Sequence, residues 1–295
     1  MHLHEVLRSL RRVAPEALAE DWDAAGLQVG RLDQAVTRLL LCIDLTEPVL
    51  AEAVDRGADL IVAYHPLIFQ PVASLTDAEP RGRILLHAIE RGIAVYSPHT
   101  ALDSAAGGVN DFLADGLGAA ERWPIRPTTV TAHRADQANE SHFPNESTSP
   151  EQNAADAVPQ PAALAGAGQG RVIELDEPVE MTTLAERLKG CLGLLHVPVG
   201  LPDGGASRVQ RIGLCPGAGG SLMGEAGAID AFLTGEMRHH DQLAAKARGT
   251  ALLLPGHSET ERPYLPTYRD RLAEAGLGEL ELLVSQQDKG PLTLW

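Results

Sequence analysis

Residues 39–64 read LLLCIDLTEPVLAEAVDRGADLIVAY, and this stretch contains the first unit of the pattern that decides the fold. The apolar run at residues 39–45 has the length and composition of a parallel strand that is covered on both faces. Thr46 is a favoured N-cap residue, so a helix is predicted to follow it and to stop near Gly57. Residues 60–64 then form the next apolar strand.

The same alternation of strand and helix continues beyond this stretch. A helix is predicted over about residues 83–91, and it leads into a third apolar strand at residues 93–97. Strands joined by helices in this order form a parallel sheet with helices on both faces. Farther along the chain, helices are predicted from the capping box Thr183-Leu-Ala-Glu186 and over about residues 238–248, and strands at residues 171–175, 211–215, 229–233 and 250–254. We therefore expect an α/β protein with two α/β lobes.

A polar segment separates these two lobes. Residues 133–169 are rich in Asn, Gln, Ser, Pro, Ala and Glu and contain almost no large apolar side chains. Such a segment buries too little apolar surface to offset the entropy lost on ordering. The sequence thus predicts a first lobe over residues 1–130, a flexible linker over residues 131–170 and a second lobe over residues 171–295.

The overall charge limits the classes of partner. The chain has 24 Lys and Arg against 40 Asp and Glu, which gives a formal net charge of −16. This balance argues against nucleic-acid binding through phosphates and against docking to an anionic membrane. The amino terminus lacks the basic and apolar regions of a secretory signal, and the three cysteines are far apart with no CxxC. We expect a soluble, cytoplasmic protein without a thiolate zinc site.

Three histidines each follow the end of a predicted strand: His65, His99 and His257. Ligands of open parallel sheets bind beyond the carboxyl ends of the strands. Asp103 and Glu261 each follow one of these histidines by four residues, and imidazole with carboxylate is a donor set for zinc, manganese or iron. The spacing leaves two interpretations open, a metal site and a set of hydrogen-bonded structural histidines.

Six segments, in their order along the chain, resemble those of a known family. The family is the Nif-three-like family of dinuclear-metal-centre hexameric proteins, whose members are often labelled GTP cyclohydrolase 1 type 2 homologues. The resemblance covers nearly the whole chain except the polar segment, and it implies a two-lobed αβα sandwich of mostly parallel strands with the metal site between the lobes. The segments that carry it are DWDAAGLQVG (21–30), AYHPLIF (63–69), SPHTALD (97–103), GGVND (107–111), LTGE (233–236) and GHSETE (256–261).

The resemblance also implies a set of metal ligands. One metal is expected at His65, Asp103 and Glu261, and a second at His257 and the bridging Glu261. Tyr64 occupies the position at which the family has another histidine. Because a neutral phenol is a poor ligand, this difference weakens the second site. One or two divalent ions per subunit are therefore expected.

The function implied by the resemblance is metal-dependent hydrolysis of a small-molecule substrate, either a nucleotide or a phosphoester. Glu261 would hold the metals, and His99 would act as a proton shuttle or as a further ligand. The family also implies a homohexamer, a ring of dimers. The alternative is a non-enzymatic protein that handles metal or serves as an interaction scaffold, which the weakened site at Tyr64 favours.

Three further features carry weaker predictions. The motif that ends at Glu236 suggests that Glu236 or His240 lines the site. Residues 216–220 read PGAGG and lack the Lys-Ser/Thr of a P-loop, so they predict a tight turn between a strand and a helix. Trp22, within Asp21-Trp22-Asp23, is interpreted as a residue of surface or interface packing.

Overall fold

The computed structural model describes residues 1–128, 166–204 and 208–292. The chain divides into two compact units. The described residues of the first unit are 1–105 and 265–292, and those of the second are 106–128, 166–204 and 208–264. The polar segment predicted as a linker lies outside the described residues, apart from its end at 166–170. The linker and the three-part division of the chain stay predictions.

The helices and strands alternate along the described ranges. The helices are α1 Leu3–Val13, α2 Glu47–Asp55, α3 Pro80–Arg91, α4 His99–Ser104, α5 Val109–Leu117, α6 Met181–Leu192, α7 His239–Ala247, α8 His257–Glu261 and α9 Leu265–Leu272. The strands are β1 Gly26–Val29, β2 Arg38–Cys42, β3 Leu60–Ala63, β4 Ala94–Ser97, β5 Glu121–Trp123, β6 Arg126–Pro127, β7 Gly168–Gln169, β8 Arg171–Glu180, β9 Val199–Gly200, β10 Arg208–Cys215, β11 Ala231–Thr234, β12 Ala251–Leu253 and β13 Glu281–Val284. Short 3₁₀ turns cover Glu16–Leu18, Gly219–Glu225 and Arg262–Tyr264, and a π turn covers Ala273–Leu277.

The sheet of the first unit has the order β1-β4-β3-β2-β13. Its pairings are parallel, except that β1 runs antiparallel to β4. The predicted strand–helix alternation over residues 39–97 is thereby confirmed. Since β2, β3 and β4 are parallel, their carboxyl ends lie at one edge of the sheet, and the chain segments that follow them begin there.

Burial on both faces explains why the central strands of the first unit are continuously apolar. Leu40, Ile61 and Val95 are buried in one cluster, together with Val49 of α2 and Ile84 of α3. Each such side chain contributes about 1.5–3 kcal/mol through removal from water. The helices α2 and α3 pack against each other.

The sheet of the second unit has the order β5-β8-β10-β11-β12-β9. The three adjacent strands β10, β11 and β12 are parallel, whereas β5, β8 and β9 pair antiparallel with their neighbours. A separate antiparallel pair joins β6 and β7. The α/β class is confirmed, and in this unit too the parallel strands direct the following segments to one edge.

The start of α6 differs from the sequence prediction. The capping box at Thr183 does not open the helix, because α6 begins at Met181 with Glu180 as its N-cap residue. The strand β8 runs up to Glu180 and the chain turns into the helix without a loop. The apolar series Met181, Leu184 and Leu188 is buried at helical spacing, and this packing extends the helix one turn before the capping signal.

None of the helices in the described ranges combines the length with the apolar character that a membrane span requires.

Candidate metal centre

His65 lies just beyond the carboxyl end of β3, and its ring is held by a carboxylate. The Nδ1–H group of His65 donates to Asp44 Oδ1 at 2.9 Å. Asp44 follows the end of β2, and its loop is fixed because the buried Asp288 accepts the backbone N–H of Ile43 at 2.7 Å. The carboxylate fixes the tautomer and the orientation of the His65 ring, and it increases the basicity of the imidazole as a metal ligand.

Tyr64, the residue before His65, contacts one of the predicted ligands. Its hydroxyl donates to Asp103 Oδ1 at 2.5 Å, and both side chains are buried. Ser97 fixes the same segment by donating from its hydroxyl to the Tyr64 carbonyl at 2.7 Å. In this structure the phenol therefore serves as a hydrogen-bond donor to Asp103, which occupies one of the two carboxylate oxygens.

His99 begins α4 in a conformation that is unusual for a residue with a side chain. Its φ is +31°, in the left-handed region. Its Nδ1–H donates to Asp23 Oδ1 at 2.6 Å, and the backbone N–H and hydroxyl of Thr100 donate to Asp23 Oδ2. Burial raises the pKa of Asp23, but the hydrogen bonds from His99 and Thr100 outweigh it and hold that pKa below its ordinary value. The ring of His99 lies 5.6 Å from that of His65, centroid to centroid.

In the second unit, two carboxylates contact His257. His257 is the first residue of α8, and its Nδ1–H donates to Glu236 Oε1 at 2.9 Å. Its Nε2 lies 3.3 Å from Oε1 of Glu261, whose side chain is only 3% exposed. The two ligands are four residues apart on one helix, so they share a face. Of the two residues predicted as alternatives to line the site, Glu236 contacts His257, whereas the ring of His240 contacts that of His239.

Glycines make room for His257 and Glu261. A Cβ on Gly217 would lie 2.5 Å from Glu261 Oε1 and 3.1 Å from His257 Nε2. A Cβ on Gly235 would lie 2.6 Å from His257 Cα. Gly217 belongs to the predicted PGAGG turn, which the structure confirms between β10 and the following 3₁₀ turn. The two glycines follow the ends of the parallel strands β10 and β11, and this position is the sequence signal that could have identified them.

In the second unit, His257 and Glu261 form a pair that can hold a metal ion. An imidazole together with a carboxylate suits zinc, manganese or iron. The 3.3 Å between His257 Nε2 and Glu261 Oε1 also fits tetrahedral coordination, since ligands bound at about 2.0–2.1 Å lie about 3.3 Å apart. The predicted roles of Asp103, Tyr64 and His99 as metal ligands stay predictions.

Two carboxylates in contact with the site histidines of the first unit were not predicted from the sequence. Asp44 was assigned to the strand at residues 39–45, but β2 ends at Cys42 and leaves Asp44 at the sheet edge. Asp23 belongs to a segment that carries the resemblance and no role was predicted for it, yet its side chain is fully buried and contacts His99. An acidic residue after an apolar strand was the available signal for Asp44.

Known proteins resemble this chain over nearly its whole length. A family model described as Duf34/NIF3 (NGG1p interacting factor 3) matches residues 1–291. The NIF3-like protein 1 of Rattus norvegicus is 34% identical, covering 99% of this chain and 92% of the relative. The Protein NIF3 homolog of Schizosaccharomyces pombe is 38% identical, covering 94% and 92%. The crystal structure of a Bacillus cereus protein related to NIF3 has a TM-score of 0.80 at 23% identity, covering 100% of this chain and 99% of that one, and supports the fold.

Proposed function

Since this chain belongs to the Duf34/NIF3 family, we propose that it binds a divalent metal ion through His65, His257 and Glu261 and hydrolyses a nucleotide or another phosphoester. The metal is zinc, manganese or iron, which the imidazole and carboxylate donors suit.

One observation carries this proposal: both histidines of the group are oriented by carboxylates. Asp44 and Glu236 each accept the Nδ1–H of one histidine, both at 2.9 Å. A carboxylate that accepts the Nδ1–H of a histidine fixes the tautomer and the orientation of the ring, as a metal-ligating histidine requires.

A bound divalent ion acts as a Lewis acid and lowers the pKa of water toward neutrality. The chain contributes the groups around it. Glu261 brings a buried negative charge that favours cation binding. The chain as a whole has a formal net charge of −16, so an anionic phosphoester needs a local cation to approach.

His99 is proposed as the group that moves a proton. Its Nδ1–H is committed to Asp23, so Nε2 is the atom that accepts a proton during attack on the substrate. The side chain is 16% exposed, which keeps it accessible to a small molecule while Asp23 fixes its orientation. Imidazole is the common proton-transfer group near neutral pH.

A second candidate function is non-enzymatic metal handling. The observation that favours it is Tyr64, whose hydroxyl occupies an oxygen of Asp103 instead of adding an imidazole donor. A site with a single ion whose ligand His257 is 34% exposed suits exchange of the metal with a partner. In that case the metal is released readily and no substrate is turned over.

Metal content and turnover test these two functions. Protein purified without chelators or a metal-binding tag is analysed for metal per chain, and a panel of nucleotides and phosphoesters is assayed with and without metal. We expect near one equivalent and metal-dependent turnover. Glu261→Ala should abolish both, whereas Glu259→Ala, two residues away on α8, should retain both. Bound metal without turnover supports metal handling, and failure of added metal to bind rejects both functions.

We also propose that the protein assembles as a homohexamer, a ring of dimers, as the family resemblance implies. Light scattering coupled to size-exclusion chromatography should give six chain masses. A monomer at micromolar concentration would contradict this proposal.

A further inference from the structure

Two aromatic side chains of the first unit, Trp22 and Phe69, are exposed to solvent and lie close to each other. Trp22 is 59% exposed and Phe69 is 40% exposed, and they are the exposed aromatic residues in the described part of the chain. They are far apart in sequence, but their ring centroids are 6.0 Å apart with planes at 55°. The rings are therefore not stacked on each other.

The backbone beneath both rings is held in place by Gln28 of β1. Its Nε2 donates to the carbonyls of Ala24 at 3.1 Å and Ile68 at 3.2 Å, and its Oε1 accepts the N–H of Ile68 at 2.9 Å. The amide of Ala24 also donates to Asp23 at 2.7 Å. Gln28 thus ties Ile68, the residue before Phe69, to Ala24, two residues after Trp22, so the exposed rings stand on fixed loops.

Both rings also contact His99. The centroid of Trp22 lies 6.0 Å from that of His99 with planes at 78°, and that of Phe69 lies 6.3 Å away with planes at 82°. These are edge-to-face arrangements, which leave exposed ring surface beside the imidazole. A molecule placed against this surface has its remaining atoms within reach of His99.

We infer that Trp22 and Phe69 bind a planar heteroaromatic ring of the substrate, and that the substrate is a nucleotide and not a phosphoester without such a ring. An aromatic platform binds any base through its π face and needs no hydrogen bonds to the base edge. The identity of the reacting molecule rests on the proposed function, whereas binding of the ring does not depend on hydrolysis. The platform selects a class of ring and leaves the base unspecified.

A comparison of two ligands isolates this contact. Isothermal titration calorimetry measures the affinity for a purine nucleoside 5′-monophosphate and the affinity for ribose 5-phosphate. In the ratio of these two affinities, the contributions of the shared phosphate and of any bound metal cancel. Wild-type protein should favour the purine compound. Trp22→Ala or Phe69→Ala should each lower that ratio by about 5- to 150-fold, the usual size of one base-stacking contact. Trp22→Phe should retain most of it.

Leu195→Ala provides the matched control, because this apolar side chain is 84% exposed and belongs to the second unit. The ratio of the two affinities in Leu195→Ala should equal the ratio in the wild-type protein. Equal ratios in wild type and Trp22→Ala, or no purine binding at millimolar concentration, would overturn the inference. A Trp22→Ala protein with an unchanged ratio and a smaller assembly in light scattering would also overturn it, and would assign the surface to a second copy of the chain. If the ratio behaves as expected while no hydrolysis occurs, only the proposed reaction fails.

Discussion

Replacement of Gly217 by alanine separates metal binding from folding. Gly217 has φ of +60°, in the left-handed region that costs about 1–2 kcal/mol for a residue with a Cβ. Gly193 has φ of +68° at the end of α6, and nothing lies within 4 Å of a Cβ built there. Gly193→Ala is therefore the matched control, since it pays the conformational cost without a steric conflict.

The added methyl group at Gly217 meets the candidate ligands. It would lie 2.5 Å from Glu261 Oε1, about 0.9 Å inside the 3.4 Å at which ordinary contact begins, and 3.1 Å from His257 Nε2. Both atoms are ends of side chains that can move aside. The conflict is then relieved by displacing the ligand atoms, so it should reduce metal affinity more than stability. Loss of an outer partner that orients a ligand typically lowers affinity 10- to 100-fold, and we expect about that loss here.

Two measurements decide the outcome. Urea unfolding of the metal-free proteins should give a similar loss of about 1–2 kcal/mol for both variants, and competition titration with a chelating dye should give weaker zinc or manganese binding for Gly217→Ala alone. If Gly217→Ala binds metal as tightly as Gly193→Ala, the methyl group does not reach the ligands and the assignment of His257 and Glu261 to one metal is wrong.

Three other substitutions test separate parts of the structure. Asp44→Asn should weaken metal binding about 10- to 100-fold by removing the charge that orients His65, and unchanged affinity in the same competition titration would exclude that role. Tyr64→His should raise the metal content from near one to near two equivalents, because it frees Asp103 and adds an imidazole; elemental analysis that still finds one equivalent would contradict this. Burial raises the pKa of Glu52, but hydrogen bonds from the Ser285 hydroxyl, two backbone amides and Arg56 lower it further than burial raises it. The carboxylate therefore stabilises the fold above its ordinary pKa and loses this effect as the pH falls through the folded-state pKa. Glu52→Gln should cost about 1–2 kcal/mol near pH 7 and progressively less as the pH is lowered into the acid range, as urea unfolding over a pH series would show; a cost that does not change with pH would contradict this.

The strand–helix alternation was predictable because its signals are local. The runs at residues 39–45 and 60–64 are apolar on both faces, and the structure buries Leu40 and Ile61 completely. The positions of His65 and His257 after strands follow from the same pattern, since parallel strands end at one edge of a sheet. The ends of strands and helices are predicted less accurately. At the start of α6, for example, the packing of Met181 makes the helix begin before the local capping signal at Thr183.

The partners of the site histidines could not be predicted in the same way. Asp23 is separated from His99 by 76 residues and Glu236 from His257 by 21. No periodicity in the sequence links such pairs, because the contact is made by the tertiary fold. The resemblance placed Glu236 in a matching segment, but its contact with His257 Nδ1 appeared only in the structure.

His99 shows how a local cost indicates a role. A left-handed residue with a side chain costs about 1–2 kcal/mol, and glycine or asparagine there would relieve the strain. The chain offsets the cost through Asp23, whose buried carboxylate accepts hydrogen bonds from the His99 ring and from the Thr100 backbone amide and hydroxyl. Hydrogen bonds to a charged group contribute about 1.5–3 kcal/mol each, which exceeds the strain. The buried carboxylate thus holds an imidazole where the backbone alone would favour a smaller residue, and a strained, fully supported side chain at the edge of a parallel sheet is a feature of functional sites.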